Sequence, residues 1–362
     1  MKILIISNGS SGLYKFRKEL IQQLIHMGYE VHIATRFSGY ERALAKLGCK
    51  LTETSLSRRG VNPFIDLKLF MQYVKIITQL NPDEVITYTI KPNIYGGIAC
   101  RFKRIPLYAN ITGLGTAFQS GGLLTTLVTF MYKAAFKRVK KVFFENTENR
   151  DILVEKGIIE KSRTCCLNGA GVNLEDYPFA AYPNDGTTRF LFIGRVMKEK
   201  GVEELFEAAK RLKAEQADIA IDIVGSFEEH YEDTVNTLDK SGIIKYHGYQ
   251  TDVKPFIRQA HCFILPSYHE GMANTLLESG AMGRPLITSN VHGCLEAVDD
   301  GKNGYLCKVK DSADLYNKMK QFINLSYEQK VRMGKCSHDF IAARFDKKKV
   351  VEDTIREINA AY

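Results

Sequence analysis

A strand, a small-residue loop, a helix and a second strand follow one another near the start of this 362-residue chain, and the same series recurs after its midpoint. The first series runs ILIIS (Ile3–Ser7), NGSSG (Asn8–Gly12), a helical pattern carrying Leu20, Ile21, Leu24 and Ile25, then EVHIAT (Glu30–Thr35). The second runs RFLFIG (Arg189–Gly194), a loop, a helix from Val202 with Leu205, Phe206, Ala209 and Leu212 on one face, then IAIDIVG (Ile219–Gly225). Strands joined through a helix pair in parallel, and parallel strands buried on both faces read as unbroken apolar runs. Further alternation follows in each half: the helix Asp66–Leu80, EVITYT and VFFEN in the first, CFILP, PLITS and a helix near Ala313–Ile323 in the second. The expectation is an α/β chain of two doubly wound parallel-sheet domains, each binding ligands beyond the carboxyl ends of its strands. The seam falls between Gly171 and Thr188, where turn residues abound and periodicity stops, giving domains 1–171 and 172–346, with a helical segment over 347–362.

Apolar residues make up 45% and charged residues 25%, a globular balance that argues against a disordered chain. The opening MKILIISNGSSG has four apolar residues in a row, fewer than a secretory core needs, and no stretch reaches the roughly 18 of a spanning helix. A cytoplasmic location is expected. The eight cysteines form no C-x-x-C pair and read as reduced, mostly buried thiols. The net charge of +9 sits in the first half: residues 1–172 hold 25 bases and 12 acids, residues 173–362 hold 25 and 29. From Val85 to Phe144 nine bases occur without one acid. An anionic partner is expected there: nucleic acid, anionic lipid or a phosphorylated substrate.

Two motifs in the second half carry chemistry. GRVMKEKG (Gly194–Gly201) follows a strand directly, placing Arg195 and Lys200 around a turn at its carboxyl end. A guanidinium fork and a compact ammonium could neutralise a diphosphate; a solvated charged turn is the other reading. In HEGMANTLLESGAMGRPLITS, Glu270 and Glu278 bracket a strand end, a turn and the start of a helix. A helix N-terminus presents backbone N–H groups to an anion, and ionised carboxylates accept from hydroxyls. Gly271, Ala273 and Asn274 suit close approach of backbone to a ligand. An anion together with diols describes a nucleotide sugar.

These two motifs, with NGAGVNLEDY before them, resemble in order and separation the patterns of retaining glycosyltransferase family 4, across most of residues 165–310. The resemblance implies the GT-B fold, two Rossmann-like domains facing across a cleft, with the C-terminal helix (about 347–362) returning to the first. It implies that Arg195 and Lys200 hold the donor diphosphate and that Glu270 lies against the donor sugar. Backbone amides of Gly271, Met272, Ala273, Asn274 and Thr275 would hold sugar and phosphate, and Glu278 the ribose hydroxyls. Gly9 and Gly12 would admit the phosphate end of the donor; a tight β–α turn explains the same glycines. The resemblance is closest to bacterial members that extend glycans on polyprenyl-diphosphate carriers. It rests there on SRRGVNPF, whose Arg58 and Arg59 could meet an acceptor phosphate or be a solvated loop pair, and on ANITGLGTAFQSGG, where Thr112, Gly113 and Gly115 stand in a segment that often carries a histidine.

The pattern Leu123–Lys141 reads as one basic amphipathic helix, with Leu124, Leu127, Val128, Met131, Ala135 and Val139 on one stripe and Lys133, Lys137, Lys140 and Lys141 on another. Such a helix fits an anionic membrane surface, or an ordinary sheet-packed helix. No D-x-D motif and no metal-ligand spacing occurs, so no metal and no cofactor is expected beyond a UDP-sugar co-substrate. The expected activity is a retaining, metal-independent transfer of a sugar, with N-acetylhexosamine favoured. The expected acceptor is a polyprenyl-diphosphate-linked sugar in capsule or O-antigen assembly at the inner membrane face. A UDP-sugar 2-epimerase of the same fold and a basic nucleic-acid-binding protein are the alternatives; no nucleic-acid motif supports the latter.

Overall fold

The structure, a computed structural model, describes residues 1–55, 63–115, 118, 122–215 and 218–360. It separates into two compact units, Met1–Ala170 with Lys347–Tyr362, and Gly171–Asp346.

The first unit is a seven-stranded parallel sheet of β1 (Lys2–Ser7), β2 (Glu30–Thr35), β3 (Lys50–Glu53), β4 (Glu84–Tyr88), β5 (Leu107–Ile111), β6 (Lys141–Phe144) and β7 (Thr164–Cys166), in the order β3-β2-β1-β4-β5-β6-β7. Successive side chains of a strand point to opposite faces, and β1 shows how both are used. Leu4 and Ile6 join the core under the helices Pro63–Leu80, Gly97–Lys103 and Gly122–Phe136. Ile3 and Ile5 join a second core with Leu20 and Ile21 of the helix Ser10–His26 and Val350 and Ile358 of the helix Lys347–Asn359. The C-terminal helix thus belongs to the first unit, where the buried Tyr108 hydroxyl donates to the Ile358 carbonyl at 3.0 Å.

The second unit repeats the winding with β8 (Thr188–Ile193), β9 (Ile219–Val224), β10 (Lys245–Tyr246), β11 (Cys262–Leu265), β12 (Leu286–Ser289) and β13 (Gly304–Cys307), in the order β10-β9-β8-β11-β12-β13. In each sheet the order reverses once, between β1 and β4 and between β8 and β11. The crevice beyond those strand ends is where such sheets bind ligands. The aperiodic segment after Gly171 is tied down by Arg284, which is fully buried and donates to the carbonyls of Ala180, Ala181, Ala260 and Met282. Burial lowers its guanidinium to about 10.

Several bounds differ from those read in the sequence. The basic helix ends at Phe136, because Lys137 and Arg138 turn and Lys141 already opens β6, where its ammonium pairs with Glu357 at 2.8 Å. The apolar stripe read in the sequence divides: Val128, Ala135 and Val139 are buried with Tyr132 and Phe136, whereas Leu124 and Leu127 are exposed. Strand β11 stops at Leu265, since Pro266 has no N–H for the ladder, so Glu270 stands in a loop rather than ending a strand. All eight cysteines are free thiols; Cys49, Cys100, Cys262, Cys294 and Cys307 are buried, whereas Cys166 is exposed.

Replacing Arg284 by Met strands several buried carbonyls. It is expected to cost at least about 2 kcal/mol, read as a lower urea midpoint with an unchanged slope.

Candidate active site

Two loops meet at the reversal point of the second sheet. One follows β8 and carries Gly194–Gly201; the other follows β11 and carries Pro266–Ala273. Gly201 has φ +70, and a Cβ there would stand 2.0 Å from the Pro266 carbonyl oxygen, so only glycine lets the loops touch. The Tyr268 N–H donates to the Glu199 carbonyl at 2.9 Å, and the Tyr268 hydroxyl to the Glu204 carboxylate at 2.8 Å. The loops are thereby fastened before either charged residue is considered.

Across that contact the Lys200 ammonium pairs with the Glu270 carboxylate. Their side chains are only 17% and 13% exposed, so water screens the pair little. The Ser267 hydroxyl donates to the same carboxylate oxygen, Oε1, at 2.8 Å. Behind Glu270 lies Gly293, at φ +86; a Cβ there would come 2.7 Å from the Glu270 carbonyl carbon and oxygen. Cys294 is fully buried beside it; burial first, and then the Glu270 carboxylate, push its thiol well up. Glu270 is therefore held from three sides.

Arg195 is more open: its side chain is 38% exposed and faces Glu228 at 3.7 Å. Its loop is fixed from the other side by Gly225, where a Cβ would stand 1.7 Å from the Gly194 carbonyl oxygen.

The helix Asn274–Ala281 starts at the end of the second loop. The Ala273 N–H donates to the Gly293 carbonyl at 2.8 Å and is withdrawn from the donors expected to meet a ligand. The Asn274 Oδ1 is buried without a hydrogen-bond partner among the described residues, which a ligand donor would satisfy. Glu278 lies on the same helix next to Tyr177. Burial, and then the Glu278 carboxylate, push the Tyr177 phenol up. The structure thus brings Lys200 and Glu270 together beside the helix that carries Asn274, Thr275 and Glu278, with Arg195 on the Lys200 loop of the same unit. It adds Ser267, Tyr177 and Gly293, which the sequence reading passed over. Only the lone glycine after PLITSNVH gave any signal for the last of these.

Gly9 and Gly12 belong to the first unit. There the N–H groups of Ser10 and Ser11 donate to the Arg36 carbonyl and the Ser38 hydroxyl at 3.1 and 3.0 Å. The Ser10 hydroxyl donates to Glu41 at 2.6 Å; this bond, with amides of Ser38 and Gly39, holds the Glu41 carboxyl at about 2. Gly9 sits tight against Ser38, whereas Gly12 has open space around it. Lys133, Lys137 and Lys140 are exposed on the first unit, and Lys141 is partly covered. Arg58 and Arg59 lie outside the described residues. Among the described residues no three His, Cys, Asp or Glu side chains gather as a metal site.

Two family profiles match the chain: "Glycosyl transferases group 1" over residues 175–338 and "Glycosyl transferase 4-like" over residues 2–146. A Campylobacter jejuni protein, N,N'-diacetylbacillosaminyl-diphospho-undecaprenol alpha-1,3-N-acetylgalactosaminyltransferase, is 29% identical over 92% of each chain. An Escherichia coli UDP-Gal:alpha-D-GlcNAc-diphosphoundecaprenol alpha-1,3-galactosyltransferase is 24% identical over 72% of this chain and 71% of its own. Among solved structures, Anabaena Alr3699/HepE in complex with UDP and glucose superposes with a TM-score of 0.81 over 99% of both chains at 15% identity. The profiles, the relatives and the fold together show a glycosyltransferase of the GT-B type. The two profiles and these relatives are consistent with glycosyltransferase family 4.

Gly201→Ala forces a left-handed alanine against the Pro266 carbonyl. It is expected to cost about 2 kcal/mol or more and to loosen the Lys200–Glu270 pair. Urea unfolding measures the first effect, and a fall in kcat at unchanged acceptor KM the second.

Proposed function

We propose that this enzyme transfers an N-acetylhexosamine from a UDP-sugar to a polyprenyl-diphosphate-linked sugar, with retention at the anomeric carbon and no resident metal. The product would be a lipid-linked intermediate of a bacterial surface polysaccharide, capsule or O-antigen. The protein would work as a peripheral protein on the inner face of the cell membrane. The observation that carries this reading is the enclosed Lys200–Glu270 pair at the head of the helix Asn274–Ala281. The relatives support the acceptor class, since two of them are named for undecaprenol-linked substrates, and the neighbour solved with UDP supports the nucleotide. The C. jejuni relative supports the amino sugar.

Bond by bond, the anomeric C–O bond to the diphosphate breaks and its electron pair leaves with the diphosphate. The acceptor hydroxyl forms the new C–O bond from the same face and passes its proton to the departing phosphate oxygen. Negative charge grows on that oxygen, and a cation aimed at it is commonly the largest catalytic contribution. Lys200 supplies that cation once its ammonium turns from Glu270 to the diphosphate, with Arg195 adding a second charge. Glu270, freed of Lys200 and still bonded by Ser267, accepts from hydroxyls of the donor sugar. Glu278 accepts from the ribose. Neither glutamate acts as a nucleophile.

Lys200→Ala and Glu270→Ala should each lower turnover about 10²-fold or more, with circular dichroism unchanged. Near wild-type transfer by both variants refutes the site. Activity should survive EDTA; complete loss restored by Mg²⁺ refutes metal independence. Nuclear magnetic resonance of the product should show the anomeric configuration of the donor. Incubation of UDP-sugar alone should return it unchanged, whereas conversion to the 2-epimer identifies the epimerase.

A further inference from the structure

Three helices cover one face of the first unit's sheet; two of them are apolar on the side turned away from it, and the third adds one exposed phenylalanine. In Pro63–Leu80 the buried stripe is Asp66, Leu69, Tyr73 and Ile77. On the opposite side, at helical spacing, stand Phe64, Leu67 and Met71, exposed by 85%, 54% and 55%. In Gly122–Phe136 the buried stripe is Val128, Tyr132, Ala135 and Phe136. Opposite it stand Leu123, Leu127 and Phe130, exposed by 91%, 50% and 70%. Between these helices lies Gly97–Lys103, with Phe102 exposed by 72%. Nine of the sixteen large apolar side chains exposed among the described residues lie on these three helices, so the exposure is concentrated and not scattered.

The charge on this layer has one sign. Lys68, Lys75, Lys103 and Lys133 are exposed on the three helices. Their one acid, Asp66, is buried and paired with Lys91 at 2.7 Å. The helix Lys347–Asn359 on the other side of the sheet mixes Lys347, Arg356, Glu352, Asp353 and Glu357 and exposes no large apolar side chain. A water-facing helix is ordinarily apolar on the core side alone. A second apolar stripe flanked only by cations fits a surface that is apolar inside and anionic at its rim.

We infer that this three-helix layer is a membrane-docking face, which inserts Phe64, Leu67, Leu123, Leu127 and Phe130 among the acyl chains of an anionic bilayer. Lys68, Lys103 and Lys133 meet the headgroup phosphates. The proposal moves the contact from the basic stripe read in the sequence to the apolar stripes of two helices, with the lysines as their border. Among the described residues no helix is long and apolar enough to cross a membrane, so the contact is interfacial. The inference stands on the surface alone and does not depend on which donor or acceptor the site takes.

The chain contains no tryptophan, so Phe130→Trp creates a single fluorescent reporter. Its emission should shift to the blue, and be quenched by brominated acyl chains, on mixing with vesicles of phosphatidylcholine and phosphatidylglycerol. An unmoved, unquenched spectrum overturns the proposal. The double change Leu127→Ser, Phe130→Ser should lower partition onto those vesicles about tenfold, with circular dichroism unchanged. Lys68→Glu with Lys133→Glu should remove the preference over phosphatidylcholine alone. Vesicle binding untouched by the serine changes overturns the apolar insertion. So does a wild-type dimer that the serine changes convert to monomer without affecting vesicle binding, which assigns the face to a second copy. Turnover on a water-soluble short-chain acceptor should be equal in wild type and the serine variant. A loss there in the wild type counts against the assigned activity and leaves the docking face standing.

Discussion

An ammonium and a carboxylate held together with little water around them are in a poised state. Neither ion is cheap to strand, and an incoming group of greater negative charge can displace the carboxylate from its partner. Lys200 and Glu270 form such a pair, and the surrounding loops are arranged to keep it. Gly201 admits the Pro266 carbonyl, Gly293 admits the Glu270 backbone, and Ser267 bonds the carboxylate from within its own loop. A side chain at either glycine would push the pair apart, so two backbone positions without chemistry of their own set the geometry of the charges.

The sheet explains why these loops meet at all. In the order β10-β9-β8-β11-β12-β13 the connections leaving β8 and β11 diverge to opposite faces, which opens a crevice between two adjacent strand ends. Arg195 and Lys200 come from one of those ends and Glu270 from the other. The helix Asn274–Ala281 then begins at the crevice with its N–H groups leading and the Asn274 Oδ1 still unpartnered. Cations, amides and acceptors thus converge from one local fold, which is the set a sugar diphosphate calls for.

Most buried strands were readable in the sequence, since parallel strands covered on both faces leave unbroken runs such as ILIIS and IAIDIV; the central β5 was passed over, because Ala109 and Asn110 interrupt the apolar run of LYANI. The edge strands β3, β7 and β13 were not readable either, because KLTE, TCC and GYLC are short and carry polar or small residues. The helix Gly122–Phe136 was readable without its buried face. It is apolar nearly all round, so periodicity suggested a membrane-surface helix but could not say which stripe faces the sheet. The charged motifs were legible as residue types, because Arg195, Lys200, Glu270 and Glu278 carry charge at fixed places after strands. The pairing of Lys200 with Glu270 across 70 residues was not, because it depends on β8 and β11 being neighbours. Gly201 and Gly293 look like ordinary turn glycines until their close approaches are measured.

The central claim is that the Lys200 ammonium passes from Glu270 to the donor diphosphate. Calorimetric affinities for UDP and for uridine, in wild type, Lys200→Met and Glu270→Gln, test it directly. The account predicts opposite effects on UDP: weaker binding in Lys200→Met, tighter binding in Glu270→Gln because its competitor for the ammonium is gone, and uridine affinity equal in all three. UDP affinity that is unchanged in Lys200→Met, or lowered in both variants alike, would contradict it.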